Sequence, residues 1–232
     1  MSIIFLKRSE LEEVLEMPQV IQGVKDVYKE KANGRVVAWP LVEHHFPELG
    51  AVTDIRSGGV FGSVGIHGAK LLNNFPNNAE AGLPVFTGVL MAFDSNTGIP
   101  LGCMDASYIT SMRTGAAAAV GAGALARKDS ETLLIVGAGR QSIYLLGATL
   151  LEMPQLKRVL VVDPLDSAFA QNYIETIRER LQEELNIRTD VSFEALNDLQ
   201  EATGQADVIL TVTRSMEPLI MKDWLRPGTH LS

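Results

Sequence analysis

Residues 133–142 have the sequence LLIVGAGRQS, in which an apolar strand leads directly into a glycine-rich turn and then into an apolar helix. In such a turn Gly137 permits the sharp bend, and Gly139 leaves room for a pyrophosphate against the backbone. The N–H groups and the positive end of the following helix then bind the anion. Ser142 stands where the fingerprint usually has a third glycine, and its small side chain still allows close packing. The segment predicts a dinucleotide-binding turn.

The chain around this turn alternates apolar runs with helical patterns, which is typical of a parallel sheet covered by helices. Apolar residues recur every four positions from Phe169 to Leu185, and Asp166 or Ser167 can cap that helix. We therefore predict an α/β fold of the Rossmann type. Its expected elements are strands at 133–136, 159–162, about 189–193 and 208–213, and helices at 143–152 and about 167–185.

Asp163 follows the second apolar strand, 24 residues after Gly139. A carboxylate at this position can accept hydrogen bonds from the adenosine ribose hydroxyls. The next three residues, 164–166, include no arginine for a 2′-phosphate, so the pattern favours NAD(H) over NADP(H). Two alternatives remain open: Asp163 can be a turn residue before Pro164, and the glycine turn can belong to a nucleotide-free α/β domain.

The N-terminal half has a different pattern. Two short helices come first, the second beginning near Pro18 and ending at Asn33-Gly34. Residues 36–100 are rich in Gly, Pro and Asn with short β-type runs, which indicates a meandering sheet. A small-residue helix from about Ile109 to Arg127 then links two domains, which we place at 1–112, with the linking helix to about 128, and 113–232.

The composition favours small-molecule ligands. The net charge of −8 and the lack of a run of Lys and Arg argue against nucleic acid as a partner. The single cysteine, Cys103, cannot form an intrachain disulfide, which fits a cytoplasmic protein. We expect no membrane partner and no metal, because the apolar runs are short and the histidines lack a ligand spacing. Those histidines are His44, His45, His67 and His230.

Several segments together resemble the ornithine cyclodeaminase/mu-crystallin family. They are DASYITSMRTGA at 105–116, LAR at 125–127, the turn at 137–142, Lys70 with FPNN at 75–78 and GLP at 82–84, ADVILTVT at 206–213, and WLRPGTH at 224–230. The resemblance covers most of the chain from Lys70 onward and implies an α+β substrate-binding and dimerisation domain beside an NAD-binding Rossmann domain. It also implies a homodimer that acts on a small amino or imino acid.

The resemblance further implies roles for individual residues. Lys70 and Arg113 would bind the substrate carboxylate, which suits the two-pronged guanidinium of an arginine. The implied cofactor-binding residues are Arg113, Thr114, Gly137, Gly139, Arg140, Gln141, Asp163 and Thr211. Plainer interpretations stay open for some of these positions. Lys70 can be a solvated lysine, Arg113 a surface ion-pair residue, Thr110 a helix cap and Thr211 an ordinary strand residue.

Two departures from the family pattern bear on function. Val85 stands where cyclodeaminases commonly carry a threonine, and neither Arg35 nor Arg56 fits the position of an upstream arginine. The family also continues past Ser232, so we expect a C-terminal part, including the proton-transferring acid, to lie beyond this sequence. The expected function is an ornithine cyclodeaminase-like reaction that releases ammonia. Alternatives are an alanine dehydrogenase or ketimine reductase, and a non-catalytic mu-crystallin-like binding protein.

Overall fold

The computed structural model describes residues 3–232, which pack as two units. The first comprises residues up to Leu15 together with Gln22–Ser111, and the second Glu16–Ile21 together with Met112–Ser232. The domain expectation assigned residues 16–21 to the first domain, whereas they group with the second. Hydrophobic periodicity marks a helix at these positions but does not reveal the unit in which its first turn packs.

The first unit is built on a seven-stranded sheet with the order β1-β7-β6-β5-β4-β2, in which β3 also pairs with β4. All the pairs among β2 to β7 are antiparallel, as expected for a meander, and only β1 runs parallel to its neighbour β7. The elements are β1 (Ile4–Leu6), α1 (Arg8–Val14), most of α2 (Met17–Ala32), β2 (Val36–Ala38), β3 (Val42–Phe46), β4 (Ala51–Val60), β5 (Ile66–Asn74), β6 (Phe86–Asp94) and β7 (Pro100–Asp105), with 3₁₀ turns at Pro47–Leu49 and Pro76–Ala81.

One face of this sheet exposes large apolar side chains. Leu71 lies opposite Val89 in the β5–β6 ladder, and Met91 lies opposite Cys103, which is itself opposite Phe5. Since side chains alternate between faces along a strand, the register places the exposed members of this row on a single face. We call them the apolar sheet face: Phe5, Val37, Val42, Leu71, Val89, Met91 and Leu101.

The second unit contains a five-stranded parallel sheet with the order β10-β9-β8-β11-β12. The order reverses beside β8, as in the dinucleotide-binding α/β fold, so the prediction of a Rossmann-type sheet is confirmed. The elements are β8 (Thr132–Val136), α4 (Ser142–Glu152), β9 (Arg158–Val162), α5 (Ser167–Leu185), β10 (Ser192–Ala195), α6 (Leu199–Gln205), β11 (Val208–Thr211) and β12 (His230–Leu231), with a 3₁₀ turn at Lys222–Trp224.

The three central strands of this sheet are buried on both faces, which explains their unbroken apolar sequences. Leu133–Val136, Val159–Val162 and Val208–Leu210 are each at most 2% exposed. Asp166 caps α5 by accepting a hydrogen bond from the N–H of Ala168, as one of the two predicted caps. The strand expected at about 189–193 is instead β10, Ser192–Ala195, because its pairing with β9 begins only at Ser192.

Helix α3 (Ala106–Leu125) spans the division between the units, which falls after Ser111. It begins three residues before the predicted start. The carboxylate of Asp105 accepts a hydrogen bond from the N–H of Tyr108 at 2.7 Å, and this capping contact fixes the first turn. None of the helices within residues 3–232 is long and apolar enough to cross a bilayer.

Candidate functional site

The glycine turn lies at the carboxyl end of β8. Gly137 has a φ of 106°, and its N–H donates to the carbonyl of Val162 on β9 at 2.8 Å. A Cβ at Gly137 would lie 2.7 Å from the carbonyl oxygen of Val212. Positive φ and this close contact together require glycine. Because β9 and β11 are the two neighbours of β8, the carboxyl ends of all three strands lie around the turn.

Gly139 is different, because a Cβ there would meet no protein atom within 4 Å. Its backbone faces open space, where the sequence predicts a pyrophosphate. Nothing in the protein's own packing demands glycine at this position. A bulky ligand group lying against the backbone would demand it.

Ser142 begins α4 and is fully buried. Its hydroxyl donates to the carbonyl of Gly139 at 2.5 Å, and its backbone N–H donates to the same oxygen at 3.1 Å. The residue that replaces the third glycine is thus bonded to the second glycine. The sequence explained Ser142 by its small size and gave no indication of this hydrogen bond.

Asp163 follows β9 and contacts the turn directly. One carboxylate oxygen accepts from the N–H of Ala138 at 2.8 Å, and the other accepts from the N–H of Leu165 at 3.0 Å. The second bond is the one expected of a turn residue. The first joins Asp163 to the glycine turn, beside the open space at Gly139.

Thr211 ends β11 at the same edge of the sheet. Its hydroxyl donates to the carbonyl of Ser232, and its register partner on β8 is Val136. The segment that follows borders a cavity of about 280 Å³ at this edge. The lining residues are Thr211, Thr213, Ser215, Glu217, Pro218, Leu219, Ile220 and Leu231.

Arg113 and Thr114 lie on α3, in the part that belongs to the second unit. Gly115 is the point at which α3 touches α4, because a Cβ there would overlap the carbonyl of Tyr144. Tyr144 belongs to the first turn of α4, so the close approach holds Arg113 and Thr114 near the N-terminal end of that helix. The lack of a side chain at Gly115 is what admits the backbone of α4 at this point.

Lys70 lies on β5 in the first unit. Its ammonium donates to the hydroxyl of Thr110 at 2.9 Å. Thr110 is inside α3 rather than at its start, so the alternative that it caps the helix is wrong. Lys70 and Arg113 belong to different units, and their shared role as carboxylate ligands stays a prediction.

A second polar cluster, absent from the sequence expectations, is centred on Asp207. Its carboxylate accepts from Arg127 and Arg226, each at 2.9 Å, and from the N–H groups of Glu131 and Thr132. Partial burial raises the pKa of Asp207, but the two N–H groups and the two guanidinium groups outweigh it and hold the pKa below its ordinary value. We call these residues the Asp207 cluster.

The Asp207 cluster lies at the amino ends of β8 and β11, on the opposite edge of the sheet from the glycine turn. Arg127 also donates to the carbonyl of Pro227. Members of the cluster therefore come from three of the segments that carry the family resemblance, at 125–127, 206–213 and 224–230. Their charged residues join loops of the second unit to one another.

Within residues 3–232 no three His, Cys, Asp or Glu side chains are grouped so as to hold a metal ion. Burial lowers the pKa of His230. Its place in β12, at the amino end of the strand, separates it from the glycine turn.

Comparisons with known proteins agree with this geometry. The model of the ornithine cyclodeaminase/mu-crystallin family matches residues 1–232. The Delta(1)-pyrroline-2-carboxylate reductase of Paracoccus denitrificans is 36% identical over 165 residues, which are 71% of this chain and 49% of that protein. The chain therefore spans about half the length of this relative.

Two solved structures are similar over nearly the whole chain. The Delta(1)-pyrroline-2-carboxylate reductase of Thermococcus litoralis, in complex with NADH and L-proline, has a TM-score of 0.86 at 28% identity, covering 99% of this chain and 68% of its own. An archaeal alanine dehydrogenase dimer with bound NAD has a TM-score of 0.87 at 27% identity, covering 100% of this chain and 67% of its own.

Proposed function

This chain belongs to the ornithine cyclodeaminase/mu-crystallin family, and from that premise we propose that it acts as an NAD(H)-dependent enzyme. The reaction is hydride transfer at Cα of a small α-amino or α-imino acid. Residues 1–232 contribute the proposed dinucleotide site and the proposed carboxylate ligands.

The observation that carries the proposal is the arrangement around the glycine turn. Three features lie together at the carboxyl edge of the parallel sheet. They are the open space over Gly139, the N-terminal turn of α4 and the carboxylate of Asp163. The pyrophosphate of NAD fits against Gly139 and the helix, while the ribose hydroxyls fit Asp163. Thr211, Arg140 and Gln141 complete the proposed contacts with the cofactor, together with Arg113 and Thr114.

The proposed chemistry uses the charged residues to hold the substrate. Lys70 and Arg113 bind the carboxylate, and fixing it orients Cα toward the nicotinamide. Bound at this site, NADH would supply the hydride for the imine carbon, and a proton from a protein group or water would complete the amine. In the opposite direction NAD would accept the hydride from Cα of the amino acid, and the nitrogen would lose a proton to give the imine.

The relatives favour the reductive branch of the family. They include a Delta(1)-pyrroline-2-carboxylate reductase and an alanine dehydrogenase, both named for an oxidation or a reduction. Val85, in place of the cyclodeaminase threonine, agrees with that branch. The ornithine cyclodeaminase-like reaction shares the first hydride transfer and is the second candidate. The single cysteine supports a reducing, cytoplasmic location.

An NADH-coupled assay tests the proposal and separates the candidates. Δ1-pyrroline-2-carboxylate and pyruvate with ammonium are offered with NADH, while L-proline, L-alanine and L-ornithine are offered with NAD. We expect oxidation of NADH by one of the imino acids. Ammonia release from ornithine would favour the cyclodeaminase. Tight NADH binding with no turnover of any substrate would favour a mu-crystallin-like binding protein.

Arg113→Lys tests the carboxylate site. The ammonium keeps the charge but loses the planar fork that orients a carboxylate, so we expect kcat/KM for the imino acid to fall about 100-fold or more. The Kd for NADH, measured by fluorescence, should change far less. Lys70→Ala should weaken binding of the imino acid, which would appear as a higher KM. If both variants had the same kcat/KM and KM as the unaltered protein, the assignment of Lys70 and Arg113 as carboxylate ligands would be contradicted.

The apolar sheet face supports the proposal of a homodimer. It presents seven large exposed side chains on one side of a sheet, more than a stable monomer usually leaves in one patch. We propose a second copy of this chain as its occupant, since the similar archaeal alanine dehydrogenase is a dimer.

A further inference from the structure

Tyr173 lies on α5 and is 3% exposed, yet its phenolic oxygen has no hydrogen-bond partner of normal geometry. A buried hydroxyl without a partner costs free energy, and most such groups in proteins are satisfied. Its neighbour is the hydroxyl of Ser142, which lowers the pKa of Tyr173 while the larger effect of burial raises it. The phenol therefore keeps its proton and can act as a donor.

The hydroxyl of Ser142 already donates a hydrogen bond to the carbonyl of Gly139. That carbonyl belongs to the peptide between Gly139 and Arg140. In a trans peptide the C=O and the N–H point in opposite directions. Because the carbonyl points into α4, the N–H of Arg140 points away from the helix, toward the open space in front of the turn.

We infer that Ser142 and Tyr173 are positioning residues that orient and polarise the Gly139–Arg140 peptide so that its N–H binds the pyrophosphate of the cofactor. This inference rests on the proposed function and adds two residues to that site. On this inference the phenol of Tyr173 donates to Ser142 once the cofactor binds, Ser142 donates to the carbonyl of Gly139, and the N–H of Arg140 donates to the phosphate. Hydrogen bonds in such a chain strengthen one another.

The arrangement also explains why serine replaces the third glycine. If only a small side chain were needed, glycine would serve as well and would bring no hydroxyl into a fully buried position. The carbonyl of Gly139 accepts one hydrogen bond from the hydroxyl of Ser142 and another from the backbone N–H of Ser142. Two donors on one carbonyl withdraw electrons from the peptide and make its N–H a better donor to an anion.

The test measures NADH affinity by fluorescence titration, together with thermal unfolding, in four variants. Ser142→Gly, Ser142→Ala and Tyr173→Phe remove the hydroxyls in question. Thr149→Val is the matched control, because Thr149 is a fully buried residue of the same helix whose hydroxyl also lacks a partner. We expect the three site variants to raise the Kd for NADH about three- to tenfold, the range for one weakened hydrogen bond, and Thr149→Val to leave it unchanged.

Tyr173→Phe separates positioning from a merely structural role. Removing an unpartnered buried hydroxyl should leave the melting temperature unchanged or raise it, while NADH binding weakens. Affinity and stability then change in opposite directions. Equal NADH affinity in Ser142→Gly, Tyr173→Phe and the unaltered protein would overturn the inference. Failure of the unaltered protein to bind NADH would instead overturn the proposed function.

Discussion

Gly137 and Gly139 are two residues apart, and the structure gives them different reasons to be glycine. Gly137 is required by the fold, through its φ of 106° and the nearby carbonyl of Val212. Gly139 is surrounded by open space on its Cβ side. The motif predicts the sharp bend at Gly137 and the ligand contact at Gly139, so their contributions to folding and to binding should be separable.

A pair of alanine variants separates them. We expect Gly137→Ala to destabilise the protein by about 3 kcal/mol, because the side chain is strained and displaces Val212. Gly139→Ala should change stability by less than about 1 kcal/mol while raising the Kd for NADH at least about tenfold. Urea unfolding and NADH titration of both variants check this. A Gly139→Ala protein with ordinary NADH affinity would mean that the pyrophosphate lies elsewhere.

Asp163 determines the predicted cofactor preference. In the proposed site its negative charge would repel a 2′-phosphate, so the unaltered protein should bind NADH more tightly than NADPH. Asp163→Asn keeps an oxygen that can accept from Ala138 and removes the charge. The ratio of the two Kd values should therefore move toward NADPH by about tenfold or more. A preference for NADPH in the unaltered protein would show that Asp163 does not face the ribose.

At the level of elements, we propose that the two edges of the parallel sheet have separate tasks. The carboxyl edge has the glycine turn, Asp163 and Thr211, whereas the amino edge has the Asp207 cluster. The cluster joins the end of α3 to β8, β11 and the loop before β12. We infer that it stabilises the second unit and takes no part in cofactor binding.

Asp207→Asn tests this division. Loss of the carboxylate leaves two arginines without their shared partner, and we expect a loss of about 2–3 kcal/mol in stability at neutral pH. NADH affinity should stay the same. Arg158→Gln, which removes an exposed ion pair with Glu194, is a control that should cost less than about 1 kcal/mol.

The pH dependence of the Asp207→Asn effect has a definite sign. The folded protein lowers the pKa of Asp207, so the carboxylate's stabilising effect is fully present above the ordinary aspartate pKa of about 4 and is lost as the pH falls through the lowered value. The stability difference between the variant and the unaltered protein should shrink across that acidic range. A constant difference would exclude a charged role for Asp207.

At the level of the whole molecule, the apolar sheet face predicts assembly. Met91→Lys places a charge in the middle of this face and should convert a dimer into a monomer in light scattering. Ile66→Lys is the matched control, since Ile66 is an exposed apolar residue of the same sheet whose register puts it on the other face. A monomeric unaltered protein, or equal effects of both substitutions, would contradict the proposed interface.

The sequence predicted the parallel sheet well because its strands are continuous apolar runs and its turn has a distinctive motif. Element ends were less accurate, since they depend on contacts such as Asp105 with Tyr108 that periodicity does not encode. The Asp207 cluster was missed because its members are far apart in sequence. The hydrogen bond of Ser142 was missed because a small side chain was sufficient to explain that position.

The members of the Asp207 cluster are far apart in the sequence, and this distance affects the order in which the two sheets form. Arg127 and Asp207 are 80 residues apart, and β8 can pair with β11 only after that long loop closes. The antiparallel strands β4 to β7 instead pair with their neighbours in sequence. Since distant contacts form slowly, the meander should acquire protection from hydrogen exchange before the parallel sheet does.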